Sequence, residues 1–277
     1  MEKLIFFHIP KTAGSTFINI LSNNFDEKSI YTIDGLEPYK SIEELSSFDE
    51  DQKSIIRLLR GHLTLGLDKL FKEKCTYITY LRDPIDLFIS SFFYIKRVKE
   101  HNYYELVNSM QDINEFIEFR KHNNQDNLQT RHLAGIATNM KKSPIRFDIE
   151  GDKYFELAKN NLMEKIEYVF VTEKFNESLI FLKNRLGLEN ISYLSANVTK
   201  NRLSKSDISV ESINRIRAIS QYDIELYNLA LEKHNSLINN LDLNMSIELK
   251  ELARANSDLV RKMKVKNSLK NIVRFFR

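Results

Sequence analysis

The sequence predicts an α/β protein, a parallel sheet flanked by helices with a helical C-terminal extension. Short apolar, β-branched or aromatic runs alternate with longer stretches of helical spacing. Only 7 Gly and 4 Pro interrupt 277 residues, so long helices fill the space between strands. The chain is 42% hydrophobic, enough for a full core and too much for a disordered polymer.

Residues 3–8 are an apolar run stopped by His8 and Pro10, a buried strand. The loop from Pro10 to Thr16 follows, and Phe17, Ile20 and Leu21 then recur at helical spacing, with Thr12 or Ser15 as cap. Residues 25–54 are polar and irregular, with weak helical signal over 41–48. Residues 55–60 read as a second strand ending at Gly61-His62, and Cys75–Leu81 as a central one. Asp83 caps a helix with Pro84 at its first position. Residues 100–165 are mostly helical, broken near Gly135 and over 143–151. Tyr168–Val171 is a fourth strand, followed by a helix over 176–186 that stops at Gly187. Helical spacing resumes after Ser204. The expected division is a domain over 1–235 and a basic helical extension over 236–277.

The formal charge of +3 is a sum of two unlike parts. Residues 259–277 hold seven Lys or Arg and no acid, leaving 34 basic and 38 acidic residues, net −4, in residues 1–258. That balance argues against a general nucleic-acid binder. The basic end, with Ile272, Val273, Phe275 and Phe276 interleaved, suits an anionic membrane surface or a polyanionic glycan, or is a solvated tail. Met245, Leu249, Leu252, Asn256, Leu259 and Met263 fit either a short coiled coil for self-association or a helix packed on the core. Cys75 is the only cysteine, so no intrachain disulfide forms, and this suits a reducing cytosol. The start is too short for a signal segment, and no run of 18 apolar residues exists. The expectation is a cytoplasmic protein, with its basic end offering peripheral contact at the inner membrane surface.

Two constellations carry chemistry. The first is His8-Ile9-Pro10-Lys11-Thr12-Ala13-Gly14-Ser15-Thr16 between strand and helix. Backbone N–H groups at a helix start, a lysine and three hydroxyls make an anion cradle. The plain alternative is an ordinary turn with an incidental lysine. A Walker A loop is excluded, because its lysine directly precedes the final hydroxyl, whereas Lys11 opens this loop. The second is Arg82 at a strand end, with Ser90 two turns into the following helix. Ligands of open α/β sheets collect at such strand ends, and Arg suits bidentate oxyanion contacts.

In this order the two constellations resemble the 5′-phosphosulfate loop and the 3′-phosphate motif (Tyr80–Tyr94) of PAPS-dependent carbohydrate sulfotransferases, and within them the heparan sulfate 2-O type. Arg60-Gly61-His62, Asn127–Gly135, Val169–Phe175 and Asn197–Arg202 are similar to further segments of that family, over residues 3–230. Leu87 stands where members often carry Arg. The resemblance implies a P-loop NTPase-like sheet, PAPS as co-substrate, no metal, and sulfuryl transfer to a saccharide or glycan hydroxyl. It implies that Lys11 stabilises the leaving phosphate and that Thr12, Ala13, Gly14, Ser15 and Thr16 bind the 5′ side. Arg82 and Ser90 would hold the 3′-phosphate, and Lys200 and Arg202 would close over the nucleotide. His62 matches the family's histidine base, with His8 and His132 as competitors, and His8, Gln129, Arg131 and His132 would meet the acceptor. Alternatives are a divergent P-loop kinase and a non-catalytic nucleotide- or glycan-binding module.

Overall fold

A computed structural model of the chain describes residues 2–35, 37–62, 65–136, 143–194 and 205–275, with side chains to 264. Its strands are β1 (Lys3–Phe7), β2 (Ile30–Ile33), β3 (Leu58–Gly61), β4 (Cys75–Leu81) and β5 (Tyr168–Val171). All pair in parallel, in the order β2-β3-β1-β4-β5. Around them lie α1 (Gly14–Ser22), α2 (Pro38–Ser47), α3 (Glu50–Ile55), α4 (Pro84–Arg97), α5 (Tyr104–Asn108), α6 (Ile113–His122), α7 (Leu128–Leu133), α8 (Phe147–Asn160), α9 (Phe175–Leu186), α10 (Val210–Ala218), α11 (Gln221–Asn239) and α12 (Met245–Phe275).

β1 is central because all five of its residues are buried, and its two faces feed two cores. Ile5 and Phe7 join Leu59, Val169 and Val171 beneath Leu226 and Ala230 of α11. Leu4 and Phe6 join Ile78, Tyr80 and Phe170 against Phe17 and Leu21 of α1 and Leu179 and Phe181 of α9. A third cluster joins α4, α6 and α10 through Phe88, Phe92, Phe116 and Ile216. The sheet is thus a middle layer covered on both faces.

The expected strands over 3–8, 75–81 and 168–171 are β1, β4 and β5. The strand expected over 55–60 begins later, at Leu58, because Asp49 and Gln52 form a reciprocal capping box that starts α3. β2 is an additional strand inside the segment read as irregular. Gly151 lies within α8, so the second expected break ends before Phe147. Position 235 falls inside α11. The start of α12 packs on the core: Leu252 is buried, Tyr193 N–H donates to Asn256 Oδ1 at 2.8 Å, and Lys183 pairs with Glu248 at 3.5 Å. Of the two readings of this stretch, packing on the core is the one the geometry supports. Most side chains of the basic end lie outside the described residues.

Candidate active site

β1 is the strand from which the chain crosses first to one side of the sheet and then to the other, so a crevice opens at its C-terminal end. Register brings Phe7 level with Gly61 and Thr79, so the segments after β1, β3 and β4 converge. The expected loop, His62 and Arg82 all sit there.

The loop holds two non-glycine residues in left-handed backbone conformation, Lys11 at φ 69° and Ala13 at φ 64°. Such conformations cost about 1 kcal/mol or more each and are kept where surroundings impose them. Thr12, fully buried, donates its hydroxyl to Ile9 O at 2.8 Å, and Arg82 Nη1 donates to Lys11 O at 3.0 Å. The N–H groups of Thr16 and Phe17 donate to Ala13 O. Among the described residues, the backbone N–H groups of Thr12, Ala13, Gly14 and Ser15 donate to none. Successive N–H groups left open at a helix start form a concave anion site. Gly14 is required by space: a Cβ there would lie 1.8 Å from His8 Nε2. Lys11 Nζ lies 3.8 Å above the centre of the Tyr94 ring.

His62 stacks on His8 with ring centroids 4.4 Å apart, and its Nδ1 lies 3.0 Å from His8 O. A carbonyl only accepts, so that bond puts the proton on Nδ1 and leaves Nε2 of the neutral ring with its lone pair. Burial lowers the His62 pKa, opposed by the bond to His8. His8 and His132 are pushed down to about 3, first by burial and then by the charge of His62.

A cleft of about 340 Å³ opens beside the loop. Its lining includes Lys11, His62, Tyr94, Tyr103, Arg120 and His132. Of the expected acceptor contacts, His132 faces this cleft, whereas His8 sits behind it against Phe6 and Gly14. Gln129 and Arg131 lie outside its lining. Gln129 is fully buried, accepts from Arg82 N–H at 2.8 Å and donates to Arg82 O at 2.9 Å. Arg131 is 1% exposed, pairs with Asp126 at 2.6 Å, donates to Ile145 O and lies over Phe147. Both are engaged within the fold and absent from the cleft lining. Ser90 is half-buried on α4, and its neighbour Ser91 lines the cleft while bonding back to Leu87 O. Leu87 is buried in the core. Lys200 and Arg202 lie outside the described residues. Arg120 was not expected; its sequence signal is only a basic residue in the last turn of a helix.

A strand end, an open N–H loop and a histidine-lined cleft meet at one end of the sheet, and the chain belongs to the Sulfotransferase family, whose model matches residues 1–230. It is similar to galactosylceramide sulfotransferase of Bos taurus, 24% identical over 253 residues, covering 81% of this chain and 55% of that protein. The Homo sapiens galactosylceramide sulfotransferase is 23% identical over 254 residues, at 82% and 55% coverage. The chain thus spans about half the length of the curated relatives it matches. Mouse sulfotransferase SULT7A1 complexed with PAP aligns at 16% identity and TM-score 0.35, covering 87% of this chain and 68% of that one. The cytoplasmic and inner-membrane expectation is corrected by these relatives, which are named for galactosylceramide. Among the described residues no helix is long and apolar enough to cross a membrane.

Proposed function

We propose that the protein moves a sulfuryl group from PAPS to a hydroxyl of a saccharide acceptor, giving PAP and a sulfate ester. The observation that carries this reading is the open N–H loop beside a cleft lined by both Lys11 and His62. PAPS supplies an activated sulfuryl group on a phosphate leaving group. The N–H groups of residues 12–15 bind the 5′ side, and the hydroxyls of Ser15 and Thr16 stand at the same helix start. Arg82, held against Lys11 O and clamped by Gln129, serves the 3′-phosphate, together with Ser90. Lys11 leaves the Tyr94 face to meet the bridging oxygen and stabilises charge as the sulfur–oxygen bond breaks. His62 Nε2 takes the proton of the acceptor hydroxyl as its oxygen forms the new bond to sulfur. The lowered pKa keeps the ring neutral and ready at neutral pH. Calorimetry tests the donor: PAP binds without Mg²⁺, and a preference for Mg-ATP overturns the reading in favour of a kinase. Sulfate transfer from PAPS to a panel of glycans tests the reaction, and a His62→Ala protein that binds PAP yet turns over normally removes His62 from it.

A further inference from the structure

His101 lies between α4 and α5 and lines the cleft with His62, Tyr94 and Tyr103. Its backbone is tied on both sides. The N–H donates to Val98 O at 3.0 Å, and the carbonyl accepts from Tyr104 N–H at 2.8 Å, where α5 begins. Its ring is fixed as well. Tyr94 stands at 90° to it with centroids 5.9 Å apart, and Tyr103 lies 5.8 Å away on a 38° tilt. Tyr103 is itself anchored, since its hydroxyl accepts from Gln125 Nε2 at 3.1 Å. The decisive bond is at Nδ1, which lies 3.1 Å from the Tyr103 backbone N–H. A backbone N–H only donates, so Nδ1 keeps its lone pair and the ring proton sits on Nε2. The same bond excludes the imidazolium, in which both nitrogens donate. Burial, and after it the charge of Arg120, lower the His101 pKa, in agreement with a neutral ring. Nε2 is not enclosed, and among the described residues it has no hydrogen-bond partner. His62 is the reverse: its Nδ1 proton goes to His8 O, and Nε2 keeps the lone pair. One cleft thus carries two histidines locked in opposite tautomers, one accepting and one donating.

We propose that His101 is a specificity-determining residue for the acceptor, its Nε2–H donating to a second hydroxyl of the sugar while the first presents its proton to His62 Nε2. This rests on the sulfotransferase reading for the reaction at His62. The substrate class follows: a polyol with a hydroxyl oxygen free to accept besides the reacting one, and not a simple alcohol. A sugar offers separate hydroxyls that donate to one histidine and accept from the other, whereas a single hydroxyl leaves one of them unmatched. A site built to hydrogen-bond a hydroxyl discriminates against the analogue that lacks it. The His101 ring needs no ordering on binding, because Tyr94, Tyr103 and the bond at Nδ1 already hold it.

The full chain with PAP bound is titrated with methyl β-galactoside, methyl β-glucoside and their monodeoxy forms, and followed by nitrogen NMR of the imidazoles, assigned with His101→Gln. Before sugar is added, His101 shows the Nε2–H tautomer at neutral pH. A glycoside that binds moves the His101 Nε2 signal together with that of His62. One monodeoxy form binds about three- to tenfold more weakly, the loss of one neutral hydrogen bond, and leaves the His101 signal in place. His101→Phe keeps the ring contacts and loses the donor. It weakens the parent glycoside by a similar factor with PAP affinity unchanged, and it no longer distinguishes that deoxy form from the parent. His101→Gln, which retains an N–H donor, recovers part of the loss. The Nδ1–H tautomer or imidazolium at His101, a His101 signal that no glycoside moves, or deoxy and His101→Phe losses that add at every position overturns the proposal. So does a fall in PAP affinity of His101→Phe equal to its fall in sugar affinity, the mark of a merely structural role. Failure of the wild-type protein to bind PAP instead overturns the transferase reading, and the glycoside titrations without PAP still decide the role of His101.

Discussion

His62 lies flat against His8, rings 4.4 Å apart and 24° from parallel, while its Nδ1 reaches back 3.0 Å to the carbonyl of that same residue. One residue therefore sets both the plane and the tautomer of the other. Gly35 completes the seat, since a Cβ there would come within 2.9 Å of His62 Cδ2. This stacked pair joins the loop after β1 to the strand end after β3.

Burial favours the neutral imidazole of His62, so its pKa lies below the usual 6.5. The base form is then populated at and above that pH and is lost on acidification below it. The expected profile of kcat/KM for the acceptor, which reports the free enzyme, has an acid limb with its midpoint below 6.5. A midpoint at or above 6.5 contradicts this assignment.

His8 and His132 resist protonation in the fold, with pKa values of about 3 against 6.5 in the unfolded chain. Between these values the unfolded chain binds the extra protons, so their contribution makes stability rise with pH across that window and level off above 6.5. Chemical denaturation of wild type and His132→Gln from pH 4 to 7 checks the sign. The slope in that window is smaller in the variant; an unchanged slope refutes the contribution.

Gly14→Ala brings a methyl group onto His8 Nε2. A shift of the imidazole would also disturb His62, so this variant loses about 1–3 kcal/mol of stability and most PAP affinity. Adding His8→Ala removes the clashing ring. Melting temperature should recover partly in the double variant, and additive losses would show that the clash is not the cause.

Gln129→Ala opens the amide clamp on Arg82, leaving a buried N–H and a carbonyl without their partner. The cost is about 2–4 kcal/mol, two unsatisfied groups at 1–3 kcal/mol each with partial relaxation. PAP affinity falls with it, because the strand end that aims Arg82 loosens. PAP affinity equal to wild type would detach Gln129 from donor binding.

Leu252→Ala tests whether the start of α12 belongs to the folded body. The side chain is 5% exposed among residues of α1, α9 and the sheet. Truncation of a buried leucine costs about 2–5 kcal/mol. Unfolding measured by denaturant decides it, and a change under about 0.5 kcal/mol would return this helix to an appendage.

The sheet was legible where strands are buried on both faces. Cys75–Leu81 and Tyr168–Val171 are continuous apolar runs, as central parallel strands are. β2 escaped because it is four residues at the sheet edge with only Ile33 buried, too short for a periodic signal. The start of β3 was misplaced because Ile55 is apolar yet 56% exposed, at the end of a helix whose capping box at Asp49 and Gln52 is itself visible in the sequence. That Lys11, His62 and Arg82 meet at neighbouring strand ends followed from their places in the chain. Those on α7 were not. Gln129 and Arg131 have the polarity of ligand contacts, and only tertiary partners reveal that one holds a backbone and the other an acid. Arg120 gave no signal because lining a cleft is a property of its surroundings.

One helix spans the two halves of this site. α4 is capped by Asp83, beside Arg82 and the Glu173 carboxylate that accepts from Asp83 N–H, and carries Tyr94 and Ile95 to the cleft about 20 Å of rise later at most. A rigid rod of fixed pitch thereby acts as a gauge between Arg82 and the Tyr94 end of the cleft. Lengthening or shortening it by one residue would rotate Tyr94 by about 100° off its lysine while leaving Arg82 in place, since 3.6 residues make a turn. Changes at the Tyr94 end of such a gauge spare the Arg82 end only as substitutions, and insertions within it would uncouple the two.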